Sequence, residues 1–342
     1  MITTFGEIML RISPSYSNER IEQANTFRIE QGGSESNVAI ALSNLGAESQ
    51  FVTRLPNNEL NKIILQQLKR YSVGTKNICI GGDKLGVYWT ETGIGPRNSY
   101  VIYDRGNSSF SESNTVDFDW GKILKSSKWF HFSGISPAVS HSVTEILEKA
   151  VNECLCPYSV DLNYRSKLWN WIAKDVQEIK KIMTKLCFKS TLIIGNESDY
   201  NDIFSIDSLE IDCTKKYSEI AKKTFDKFPN TSYIAISNRK SISATINHWN
   251  GYLFVRNDKH FCYKGIDYNL SNIQDRVGTG DSFAAGIIYG LNSKKINSFQ
   301  QIIDFAVSLS ALNHTTAGDA SCFSVADVNN TIATQGSGRI VR

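Results

Sequence analysis

Short apolar runs alternate with amphipathic stretches along the 342-residue chain. Residues 129–133 (WFHFS), 158–162 (YSVDL), 191–195 (TLIIG) and 232–236 (SYIAI) are apolar runs of strand length. Between them, 141–155, 170–186 and 215–228 place Leu and Ile at three- and four-residue spacings, the period of a helix with one buried face. Strand–helix alternation with right-handed crossovers predicts a mainly parallel sheet covered by helices on both faces, a three-layer α/β/α architecture. Ligands of such sheets sit beyond the carboxyl ends of the strands, so chemistry is expected just after each apolar run. Two segments break the rhythm. Residues 5–31 and 84–111 carry alternating Tyr, Ile and Val, with Gly93-Ile94-Gly95-Pro96 as a turn in the second. They read as antiparallel strands too short for a core of their own, either a small β-sheet lid over the site or an edge extension of the main sheet.

Composition narrows the class without deciding it. Apolar residues make up 41% and charged residues 21%, as in an ordinary globular protein with a large core. A net charge of +3, from 37 basic and 34 acidic side chains, gives no electrostatic footprint for nucleic acid or an anionic membrane. No stretch reaches the roughly 18 apolar residues of a membrane span. The start, Met-Ile-Thr-Thr-Phe-Gly-Glu, lacks the pattern of a signal peptide, and a cytoplasmic chain is expected. Of the seven cysteines only Cys154 and Cys156 are close, and no Cys/His cluster has the spacing of a zinc site.

Candidate chemistry concentrates after two glycine turns. In Asp275-Arg276-Val277-Gly278-Thr279-Gly280-Asp281, two glycines precede a helical run in which Phe283, Ile287 and Leu291 fall at four-residue spacing. A sharp turn into a helix start points backbone N–H groups outward, which makes an anion cradle. An acid at such a place repels a bound phosphate, yet in phosphoryl transfer it can accept the proton of the attacking hydroxyl. A helix-capping Asp281 is the other reading. The absence of GxxxxGK[ST] excludes a P-loop, and the absence of a strict GxGxxG weakens a nicotinamide-linked oxidoreductase. Gly32-Gly33 likewise precedes Ser34-Glu35-Ser36-Asn37 and the run VAIALSNLGA. There Asn37 can bond vicinal hydroxyls of a sugar, or stay solvated while Ser34 or Ser36 caps the helix.

These residues resemble the two signatures of phosphofructokinase-B/ribokinase-type carbohydrate kinases. Gly278-Thr279-Gly280-Asp281 is similar to the C-terminal signature DTxGAGD, with Arg276 and Thr279 departing from it. The stretch 32–60 resembles the N-terminal signature GGxxxNxAxxLxxLG. The resemblance covers nearly the whole chain and implies one ribokinase-like carbohydrate-kinase domain over residues 1–342. It implies ATP as donor, Asp281 as base, and Gly278, Thr279 and Gly280 as the anion hole. Softer matches point to the 2-keto-3-deoxygluconate kinase branch. They are Arg276, WFHFSG at 129–134, Asp161-Leu162-Asn163-Tyr164-Arg165, ALNHTTAGD at 311–319 and GSGRIVR at 336–342.

In the family Gly32, Gly33 and Asn37 correspond to residues that hold the sugar, and in that branch Tyr88, Tyr103, Arg105 and Arg165 correspond to residues that contact the acid sugar. An arginine's planar fork matches a carboxylate, although each could equally serve a surface ion pair. Asn196-Glu197-Ser198-Asp199 resembles the family's NxxE segment, implying that Asn196 and Asp199 organise Mg²⁺ through water, with helix capping as the alternative. By the same resemblance Asn196, Arg239 and Asn313 approach ATP. The expected partners are a small acid sugar and ATP, with no nucleic acid and no membrane, and exposed lid strands could pair copies of the chain into a homo-oligomer. His131 is expected to be a packed core histidine. A neutral-sugar kinase and a catalytically silent sugar or nucleotide sensor stay open.

Overall fold

Six apolar runs lie side by side, each parallel to the next: Ser49–Val52, Ile2–Phe5, Trp129–Ser133, Tyr158–Asp161, Leu192–Asn196 and Tyr233–Ser243. The structure is a computed structural model and describes residues 1–16, 18–336 and 338. Ile246–Val255 turns back antiparallel on the last of these strands and pairs with Cys262–Lys264 and Tyr268–Leu270, completing a nine-stranded sheet. Successive side chains face opposite helical layers. Phe130, Phe132, Val160, Ile193 and Ile234 pack with Ile146, Leu147, Met183 and Ile220 on one face. Trp129, Leu192, Ile194 and Ala235 pack with Val38, Leu42, Phe283 and Ile287 on the other. Burial on both faces is why these strands read as unbroken apolar runs. The expected three-layer, mainly parallel architecture is the one observed.

Two predicted helices form as His141–Glu153 and Cys213–Lys227, each started by a side-chain cap, from Ser140 and Asp212. The expected helix over 170–186 is corrected. Its continuous part is Val176–Cys187, preceded by a short 3₁₀ turn at Asn170–Ile172. Ala173 and Lys174 have φ of 50° and 59°, and Asp175 then accepts hydrogen bonds from the N–H groups of Gln177 and Glu178, so the helix can only begin there. His131 is fully buried in the sheet, where burial lowers its pKa to about 3, as a core histidine requires.

The lid is a separate four-stranded sheet in the order Phe27–Gly32, Met9–Pro14, Val87–Glu91, Tyr100–Asp104. Two details differ from expectation. Phe5 belongs to the main sheet, and Leu10–Ile12 pairs with Val87–Trp89 in parallel rather than antiparallel fashion. Parallel neighbours need a long crossover, and the main-sheet strand and helices between residues 32 and 87 supply it. All seven cysteines are free thiols, with Cys154 and Cys156 Sγ atoms 3.6 Å apart at the end of the His141–Glu153 helix. Among the described residues no helix is long and apolar enough to cross a membrane.

Candidate active site

A cleft of about 1770 Å³ opens between the lid, the carboxyl ends of the central strands and the first turns of two helices, Ser34–Asn44 and Thr279–Asn292. Single ligand pockets run to roughly 300–1,000 Å³, so this one has room for two ligands end to end.

The helix Thr279–Asn292 begins at the glycine turn itself. Gly278 precedes it at φ 78°, and a Cβ there would lie 1.7 Å from the backbone oxygen of Asp319. Only glycine fits both demands. Asp275 shapes the same turn, its Oδ1 accepting from the N–H groups of Arg276 at 2.8 Å and Val277 at 3.0 Å. The first-turn N–H groups at Thr279 and Gly280 have no carbonyl behind them in the helix and carry its positive dipole end into the cleft.

Asp281 does not cap this helix. Its carboxylate reaches across to the other one. Ser34 Oγ donates to Oδ1 at 2.6 Å, and Asn37 Nδ2 donates to Oδ2 at 2.7 Å. The solvated-Asn37 alternative therefore falls, since Asn37 is buried and the Ser34 helix starts from Gly33 with no side-chain cap. Burial raises the pKa of Asp281, and the bonds from Asn37 and Ser34, then the charge of Arg165, pull it back down.

Arg165, Arg239 and Arg276 converge on the cleft. Among the described residues none of the three has a carboxylate ion-pair partner. Arg165 donates to the Tyr164 carbonyl at 2.9 Å, and Arg276 to Asn247 Oδ1 at 3.1 Å. Partial burial lowers the pKa of Arg239, and neighbouring Arg276 and Arg165 lower it further. Unpaired guanidinium groups crowded together favour a polyanionic ligand.

Tyr88, Tyr103 and Arg105 line the lid side of the cleft. Arg105 is itself paired, donating through Nε to Glu7 Oε2 at 2.8 Å and also through Nη2. Its ring neighbour Tyr103 lies 5.7 Å away in cation–π geometry. Tyr88 is buried and donates to Asp319. Gly32 packs against both, and a Cβ there would meet Tyr88 Oη at 2.1 Å. Gly33 is equally tight against the Glu7 backbone oxygen, at 2.1 Å from such a Cβ.

The NxxE-like segment takes its capping form. Asn196 caps the helix Glu197–Phe204 while Asp199 Oδ2 accepts from the Asn196 N–H at 2.9 Å and its Oδ1 from the Tyr164 N–H at 3.1 Å. The side chain of Asp161, next to it at the end of the Tyr158 strand, lines the cleft and receives no hydrogen bond among the described residues. Burial raises its pKa well above normal, and the charges of Asp199 and Asp281 push it further. A divalent cation held through water would relieve that repulsion, so these residues fit one. Direct ligation does not fit, since no group of three His, Cys, Asp or Glu converges among the described residues. Asn313 is corrected: it is fully buried outside the cleft, its Nδ2 directed at the Asp319 carbonyl 3.5 Å away. Of the stretch 336–342, Ser337 and residues 339–342 lie outside the described residues.

Sequence reasoning missed Ser34, Asp161, Glu35 and Arg11. Glu35 is fully enclosed and accepts from the Ser133 N–H and from Ser133 and Ser136 hydroxyls, tying the Ser34 helix to the sheet. Burial raises its pKa to about 7. An acid between two serines on a helix's first turn was the available signal.

A carboxylate bonded across two helix starts, an anion cradle and a two-ligand cleft under a β-lid on an α/β/α core define a small-molecule kinase of ribokinase-like fold. Residues 1–326 match the pfkB family carbohydrate kinases, and the chain belongs to that family. It is 38% identical to the crystal structure of 2-dehydro-3-deoxygluconokinase from Thermotoga maritima, with a TM-score of 0.90 over 97% of this chain and 99% of that one. A 2-dehydro-3-deoxygalactonokinase from Haloferax volcanii is 27% identical over 93% of this chain and 92% of its own. An uncharacterized sugar kinase from Pyrococcus horikoshii in complex with ATP shares the fold, at 17% identity and a TM-score of 0.72 over 94% of both chains.

Proposed function

We propose that this carbohydrate kinase transfers the γ-phosphoryl group of ATP to the 6-hydroxyl of 2-keto-3-deoxygluconate, giving 2-keto-3-deoxy-6-phosphogluconate. The observation that carries the reading is Asp281, bonded by Ser34 and Asn37 at the mouth of an anion cradle, in a cleft lined by Arg165, Arg239 and Arg276, which have no carboxylate partner among the described residues. Asp281 takes the proton of the attacking hydroxyl as its oxygen bonds to the γ-phosphorus and the bond from that phosphorus to the bridging oxygen breaks, releasing ADP. The first-turn N–H groups of Thr279 and Gly280 receive the charge that develops on the transferring oxygens. Arg239 and Arg276 hold the polyphosphate. Asp161, with Asp199 behind it, would hold Mg²⁺ through water, supplying charge neutralisation to the phosphates.

Arg165, Tyr103 and the face of Arg105 not turned to Glu7 bind the sugar's carboxylate, which orients its 6-hydroxyl for in-line attack. The names of the Thermotoga and Haloferax relatives, both kinases of 2-dehydro-3-deoxy sugar acids, support this substrate class.

The test is ADP release and product mass with Mg-ATP and 2-keto-3-deoxygluconate, its galactonate epimer, gluconate, fructose and ribose. A strong preference for a keto-deoxy acid, lost in Arg165→Ala, is expected. Turnover of a neutral sugar that Arg165→Ala leaves unchanged would remove the carboxylate clamp. Unchanged turnover in Asp281→Asn would remove the base.

A further inference from the structure

Arg11 is a charged residue in the middle of a lid strand, and it is completely enclosed. Its fork spans two buried carboxylates, Nη1 donating to Asp319 Oδ1 at 2.5 Å and Nη2 to Asp275 Oδ2 at 2.5 Å. Glu30, on the neighbouring lid strand, stands 3.9 Å from Nε. Both bridged acids shape the phosphate turn. Asp275 accepts the Arg276 and Val277 N–H groups, and the backbone of Asp319 fills the space beside Gly278. Asp319 also takes the hydroxyl of Tyr88, the lid tyrosine that faces the cleft. The lid and the phosphate turn thus meet through buried polar contacts centred on one guanidinium, with the Tyr88 hydroxyl beside it.

We infer that Arg11 is a positioning residue that holds the sugar-facing lid strands in register with the phosphate turn, so that ATP is attacked by the sugar and not by water. Arg11 lies behind the cleft wall and acts only through Asp275, Asp319 and Tyr88. Its two hydrogen bonds leave from separate nitrogens of a rigid planar fork to two chain segments, a fixed spread that the single nitrogen of an ammonium group does not reproduce. If that register slips, the hydroxyl and the phosphate turn no longer share one geometry, and a displacement on the order of 1 Å is enough to cost about 100-fold in rate. Water, which needs no positioning by the lid, then competes. The inference rests on the kinase reading of the cleft.

The experiment measures ADP and phosphorylated sugar together, with melting curves, for Arg11→Lys and for the pair Arg11→Met with Asp319→Asn. The paired variant keeps the same net charge in the network, so it separates bridging from charge balance. In the wild-type enzyme one ADP appears for each phosphorylated sugar. The expected result is a fall of about 100-fold in sugar phosphorylation with ADP in clear excess over product, in variants that still melt cooperatively. A one-to-one ratio in both variants overturns the inference, whether turnover is kept or falls, because damage to packing lowers both products in proportion. Asp281→Asn, assayed alongside, reports on the base independently: its outcome changes the rate of transfer and not the reading of the ratio.

Discussion

Removing the hydroxyl of Ser34 should shift the acid limb of catalysis while leaving its plateau nearly intact. Ser34 Oγ donates to Asp281 Oδ1 at 2.6 Å inside the protein, where burial already raises the acid's pKa. A hydrogen bond to a charged group contributes about 1.5–3 kcal/mol, and one pKa unit corresponds to about 1.4 kcal/mol. Ser34→Ala therefore raises the pKa of Asp281 further. Because the proposed base works deprotonated, kcat/KM of the variant should fall by about 10–100-fold on the acid limb, climb over a pH range displaced upward, and approach the wild-type value above it. The control is Ser36→Ala, whose hydroxyl donates to the Gly33 carbonyl at 2.8 Å and not to Asp281. An acid limb that stays put in Ser34→Ala, or that moves equally in Ser36→Ala, would refute the reasoning.

Glu35 makes stability depend on pH in the opposite sense from a surface carboxylate. Its pKa rises from 4.5 to about 7 on burial, so its favourable contribution is complete below about pH 4.5 and is lost as pH climbs through 7, a change of about 3 kcal/mol. Urea midpoints should show Glu35→Gln gaining on the wild-type protein between about pH 4.5 and pH 7 and holding that gain above it, and a constant gap across that range would count against it. Gly278→Ala should lower stability by about 1–3 kcal/mol and turnover by roughly 100-fold or more, since a Cβ collides with the Asp319 carbonyl; near-normal kinetics would mean the turn relaxes freely. Arg239→Ala should raise KM for ATP by about 10–100-fold with KM for the sugar unchanged, and a change confined to the sugar would reassign Arg239.

The parts of the molecule that could be read in advance were those decided locally. The apolar runs around Phe132, Ile193 and Ile234 face helices on both sides, so their hydrophobicity is continuous and visible. The two glycine turns could be read because backbone geometry demands glycine there. What stayed hidden depends on residues far apart in sequence. Arg11, alternating with apolar neighbours, looks like a solvent-facing lid residue, yet its partners lie 264 and 308 positions away. The parallel pairing in the lid is set by a crossover and not by its own pattern. Asp199 and Asp161 sit on one short stretch of cleft, and only the surrounding backbone N–H groups separate the capping carboxylate from the free one.

The cleft draws on residues from Glu7 to Asp319, and this span has a consequence for the protein's birth. During synthesis the lid strands and the Ser34 helix emerge long before the Thr279 helix that carries Asp281, and Arg11 waits for two acids that are among the last to leave the ribosome. The early segments must stay soluble with their charged hub uncompensated, which sets a slow, long-range final step in folding. The cleft is therefore whole only once the C-terminal quarter is in place, because Asp281, the glycine turn before it and the two carboxylates that hold Arg11 all come from that quarter.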